Sequence, residues 1–136
     1  MQFDTKIAAV IRVDLEVWQK LNVASFLAGG LAAAFPECVG EPYEDSSGTT
    51  YPALIDQPIL IYGADRPALL RALERALARN VTPAVHTEDM FETTHDAANR
   101  AVVKAIARAD LHLVGLAMRA ERKVIDKIVD GLKFHS

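Results

Sequence analysis

Three short stretches hold the residues that could do chemistry: Asp14 to Lys20, His86 to Asp89, and Thr94 to Asp96. A histidine beside a carboxylate is the usual way to build a general base near neutral pH. A lysine opposite it would hold a carboxylate or phosphate, or stabilise an oxyanion. Lys20, His95 and Asp96, with Glu88 as the alternative acid, therefore form the candidate catalytic set. Asp14, Trp18, His86, Thr87, Asp89 and Thr94 are the candidate ligand-binding residues around it. A structural reading competes with this one. Thr87 followed by Glu88 and Asp89 also makes a good helix cap with first-turn acids, and Asp96 can cap the second half of a broken helix while His95 faces solvent. The histidine and carboxylate spacing matches no zinc motif such as His-Glu-x-x-His, and no glycine-rich loop fits a dinucleotide or a nucleotide phosphate. No metal and no cofactor are expected.

These residues need elements to bring them together. Residues 6–13 read as a buried strand that runs straight into a long helix ended by Pro36. In that helix Leu15, Val17, Leu21, Ala24, Ala28, Leu31 and Phe35 recur in steps of mostly three and four, which marks one face. Trp18, Val23, Phe26 and Leu27 lie off that face, so apolar residues surround much of the helix. Such a helix is buried on two sides, against a sheet and against something else, and a homodimer is expected. Residues 37–57 read as loop or irregular hairpin, with a turn at Asp45-Ser46-Ser47-Gly48 and a short edge strand at 49–51. A second strand follows at 59–62. Asp65 can cap the next helix, with Pro67 in its first turn, and Asn80 suits the left-handed position after it. A third strand is predicted over 81–86, and a helical region over 88–106, broken near Thr93-Thr94-His95. The last strand spans 111–118 and the last helix 121–132, the latter covering the sheet through Val124, Ile125, Ile128 and Leu132. Strand and helix alternation predicts one α/β domain over residues 1–136: a three-layer α/β/α sandwich on a four- to five-stranded, mostly parallel or mixed sheet. Ligands in such sheets bind beyond the carboxyl ends of parallel strands. That edge would gather Lys20, His86, Glu88, Asp89, His95 and Asp96.

Composition narrows the functional classes. The 136 residues are 51% hydrophobic and 24% charged, as in a globular protein rather than a disordered one. No apolar run approaches the roughly 18 residues of a membrane span, and the first residues lack a basic then apolar leader pattern, so a cytoplasmic location without membrane attachment is expected. Cys38 is the single cysteine, which excludes an internal disulfide and a cysteine metal cluster. The net charge is −3, and only residues 101–136 are basic, with 7 Lys/Arg against 4 Asp/Glu. Phosphate backbones demand clustered cations. Weak or no tRNA binding follows, and a small molecule is the expected ligand.

Certain stretches resemble known families. Arg12-Val13-Asp14-Leu15 with Lys20 behind it, and Ile125-Asp126-Lys127-Ile128-Val129-Asp130-Gly131-Leu132-Lys133-Phe134 at the end, resemble the opening and closing segments of the peptidyl-tRNA hydrolase 2 family. The strand, helix, strand layout of residues 59–85 is also similar to that family. Closer still, Asp14 to Asn22, Gly40 to Asp45 and Thr94 to Arg100 resemble a bacterial family, domain of unknown function two thousand, with a peptidyl-tRNA hydrolase 2-like fold. The resemblance implies that fold, and a hydrolase acting on a small ester or amide. It carries the hydrolase lysine to Lys20 and the acid to Glu88 or Asp89. Trp18-Gln19-Lys20-Leu21 stands where the hydrolases have Gly-Lys-Gly-Lys, and Thr87-Glu88-Asp89 replaces their Asp-Ala-Gly loop, which argues against peptidyl-tRNA as substrate. The alternative implied is a non-catalytic dimeric binding protein that has lost the hydrolase activity.

Overall fold

A computed structural model describes residues 3–136. The chain runs β1 (Thr5–Arg12), α1 (Val17–Ala34), a 3-10 turn (Pro36–Cys38), β2 (Tyr43–Glu44), β3 (Thr50–Tyr51), β4 (Ile59–Ala64) and α2 (Arg66–Ala78). It continues through β5 (Ala84–Thr87), a 3-10 turn (Glu88–Glu92), α3 (Asp96–Lys104), a 3-10 turn (Arg108–Asp110), β6 (Leu113–Glu121), α4 (Arg122–Ile128) and β7 (Lys133–Phe134). Five strands form a mixed sheet in the order β5-β6-β1-β4-β7, while β2 and β3 make a separate hairpin. β1 and β4 are parallel; β6 lies antiparallel to both β1 and β5, and β7 antiparallel to β4. It follows that β1, β4 and β5 all point the same way, so their carboxyl ends share one edge.

β1 is the central strand because its run of apolar residues suits burial on both faces. Ile7, Ala9 and Ile11 face α1, and Ala8 and Val10 face α2 and α4. α2 begins where the sequence signals it: the Asp65 carboxylate accepts a hydrogen bond from the Ala68 N–H at 2.9 Å. Asn80, at φ 59°, takes the left-handed conformation after that helix. The break predicted near Thr93 to His95 separates the 3-10 turn from α3.

Two expectations are corrected. In α1 the buried residues are Val23, Leu27 and Leu31, whereas Val17 and Leu21 are 70% and 64% exposed. A helix apolar around much of its circumference offers several faces to a periodicity argument. The choice is made by β6, where Gly115 leaves room that Val23 and Leu27 fill. Second, the last helix is shorter than predicted. It ends at Ile128, Gly131 turns the chain at φ 87°, and Lys133–Phe134 returns as β7. Ile125 and Ile128 are fully buried, with Val124 and Leu132 packed beside them.

No helix of the described residues is long and apolar enough to cross a membrane.

Candidate functional site

β5 is an edge strand, and that leaves one of its flanks to be covered by helices instead of strands. α1 passes close at one end, where a Cβ on Gly30 would sit 3.5 Å from that of Ala84. At the other end the Glu88–Glu92 turn carries the chain out to α3, which packs against that turn. Between α1 and α3 lies a groove of about 760 Å³.

Its α1 wall comes from Trp18, Asn22, Phe26 and Gly30, spaced four residues apart. This stripe rises roughly 18 Å along the helix at 1.5 Å per residue. Trp18 meets Phe91 edge-on with ring centroids 5.9 Å apart. Phe91 in turn lies 5.2 Å from the His86 ring, and Phe26 approaches that ring from the α1 side at 6.2 Å. The aromatic groups thus surround one polar residue. His86 is only 6% exposed, and its Nδ1 lies 3.1 Å from the Thr87 carbonyl oxygen. A carbonyl can only accept, so Nδ1 carries the proton and the neutral ring keeps its lone pair on Nε2. Burial pushes the His86 pKa below its ordinary value, opposed by that backbone hydrogen bond.

The opposite wall is polar. His95 caps α3, its Nδ1 accepting from the Ala98 N–H at 3.2 Å. Asp96, in the first turn, pairs with Arg100 one turn on, and both are exposed. Asn99 accepts from the Thr93 hydroxyl, and Arg100 and Lys104 bring positive charge to the rim.

Of the candidates from sequence, Trp18, His86, Thr94, His95 and Asp96 line this groove together. The others do not. Lys20 lies two residues from both Trp18 and Asn22, about 200° around the helix at 100° per residue, half-buried and outside the groove. Asp14 and Glu88 both pair with Arg12. Asp89 is held by His112 at 3.1 Å. Thr87 is buried, with its hydroxyl making neither a capping bond nor any other. Among the described residues, no three His, Cys, Asp or Glu side chains converge as a metal site would require.

Phe26, Phe91, Asn99 and Arg100 were not singled out from sequence. The four-residue spacing of Trp18, Asn22 and Phe26 carried the signal for the α1 wall. Phe91 had none, since it sits in a five-residue turn with no periodicity.

Comparisons with known proteins agree with this architecture. Residues 5–136 match the model of a family described as protein of unknown function (DUF2000). Among solved structures, a protein of unknown function from Agrobacterium tumefaciens strain C58, Atu0240, is similar at 47% identity. The match has a TM-score of 0.96 and covers 99% of this chain and 100% of that one. No curated protein matches.

Proposed function

The chain belongs to the DUF2000 family, whose description assigns no activity, and we propose from its geometry that it binds a small, flat, mainly apolar molecule between α1 and α3. The observation that carries this reading is the composition of the groove. Trp18, Phe26, Met90, Phe91 and Val103 supply apolar walls, and His86 with the α3 groups supplies a few converging polar atoms. Sites for small molecules share that make-up and occupy roughly 300–1,000 Å³.

Trp18 is the only tryptophan, so its fluorescence reports on the groove directly. The test is a titration with 8-anilinonaphthalene-1-sulfonate, whose rings suit the aromatic wall and whose sulfonate suits Arg100 and Lys104. Saturable quenching of Trp18 is expected, with binding weakened at least tenfold by Phe26→Glu. Phe26 is 63% exposed, so this change places a charge in the groove while sparing the core. Unsaturable quenching, or an unaltered Phe26→Glu variant, would remove the proposal.

The fold reading that accompanies it is peptidyl-tRNA hydrolase 2-like, supported by the Arg12-Val13-Asp14-Leu15 turn after β1 and by the closing segment through Phe134. Hydrolysis of a small ester or amide would rest on Lys20 acting with His95 and Asp96. Lys20 stands outside the groove, which favours binding over turnover.

A homodimer completes the proposal. Val17 and Leu21 are exposed on α1, and Ile59 and Ile61 on β4 are over a third exposed, on the same side of the sheet. Apolar surface of this kind is covered by association when it is contiguous. Sedimentation equilibrium is expected to return twice the 14.8 kDa chain mass, and Leu21→Asp to return the monomer. A wild-type mass of one chain at micromolar concentration would exclude it.

A further inference from the structure

His86 is the one groove residue that is both deeply buried and left with an unused hydrogen-bonding atom. Its Nδ1 is committed to the Thr87 carbonyl at 3.1 Å, and Nε2 has no partner among the described residues. Phe26 and Phe91 flank the ring, while the charged groups of the groove (Asp96, Arg100, Lys104) all stand on α3. With the proton fixed on Nδ1, Nε2 can only accept from a neutral ring. Resting on the groove's reading as a binding site, we propose that its ligand is an aromatic molecule bearing a ring O–H or N–H, of the phenol or indole kind, which donates to His86 Nε2.

The physical basis is selective desolvation. A flat ligand lying between Trp18, Phe26 and Phe91 excludes water from the His86 ring. An aromatic without a donor would then strand a buried acceptor, and leaving such a group unmade is more costly than a made bond is favourable. Sites built this way reject the analogue that lacks the donor more strongly than they reject a change of one methyl group. The lowered pKa of His86, caused first by burial, keeps the acceptor form present at neutral pH.

The experiment compares 2-naphthol, naphthalene and 2-methoxynaphthalene by quenching of Trp18 in the wild-type protein. Naphthol is expected to bind roughly tenfold more tightly than either of the others. Hydrophobicity alone ranks the methyl ether above naphthol, and naphthalene is smaller than both, so neither apolarity nor size reproduces that order. In His86→Phe, which keeps the aromatic packing and deletes the acceptor, the three affinities are expected to converge, with circular dichroism and melting confirming the fold. Equal binding in the wild type, or a ranking by apolarity, would overturn the role of His86 and leave the groove as a binding site. A naphthol preference that survives in folded His86→Phe would overturn it too. Failure of all three compounds to bind would remove the groove reading itself. Should His86→Phe not fold, the wild-type ranking decides alone.

Discussion

Ile125→Ala is expected to lower folding stability by about 2–5 kcal/mol, the range for emptying a buried isoleucine site. Ile125 is fully buried between the sheet and α2, in a cluster with Ala8, Leu69, Met118 and Ile128. α4 has only seven residues, and a helix so short has little stability of its own in water. Its packing holds it in place, aided by Arg75, which donates to the Ile128 carbonyl at 3.3 Å and the Asp130 carbonyl at 2.9 Å. Loosening α4 also loosens the turn at Gly131 that sends β7 back to β4. Urea denaturation checks this: the midpoint should fall with little change in slope. A loss below 1 kcal/mol would mean that α4 contributes little to the core.

The second large effect is expected at Gly115, from the opposite cause. A Cβ there would lie 2.6 Å from Val23 Cγ1, 2.9 Å from Leu27 Cδ1 and 3.3 Å from Ile11 Cδ1. Val23, Leu27 and Ile11 are almost wholly buried, so their side chains have no free volume into which to swing. Gly115→Val should therefore cost roughly 1–3 kcal/mol by overpacking and push α1 away from the sheet, weakening ligand binding at the Trp18 and Phe26 wall as well. Gly29→Ala is the internal control in the neighbouring helix. Nothing lies within 4 Å of a Cβ at Gly29, and an alanine there should stabilise α1 by roughly 1 kcal/mol. Thermal melts of the two variants should move in opposite directions. A tolerated Gly115→Val would show that α1 does not seat on β6 as described.

Much of the frame was legible because its signals are local. The apolar run of β1 marks a doubly buried strand, Asp65 and Pro67 announce α2, and Asn80 fits its end. The polar interruption at Thr93 to His95 separates the turn from α3. What escaped depends on partners distant in sequence. β7 is two residues long, so no periodicity can reveal it; it exists because β4 has an edge to offer. The buried face of α1 is chosen by Gly115, nearly ninety residues away, and the helix itself is apolar enough to accept any of several faces. That same ambiguity governs the site. Trp18, Thr94, His95, Asp96 and His86 were legible as a group because β1 and β5 share a direction and end at one edge. Lys20 looked equivalent to Trp18 at a distance of two residues, yet two residues on a helix is more than half a turn. Glu88, Asp14 and Asp89 looked like free acids, but Arg12 and His112 already hold them.

Chemical-shift mapping on the isotope-labelled protein with 2-naphthol tests the groove most directly. The backbone and ring signals expected to move are those of Trp18, Asn22, Phe26, His86, Phe91 and Asn99, which line one groove from four separate elements. Arg75, Lys123 and Lys127, which border a shallower basic hollow on the α2 and α4 side, should stay still. Shifts gathered on that basic hollow, or on Val17 and Leu21 alone, would contradict a ligand site between α1 and α3.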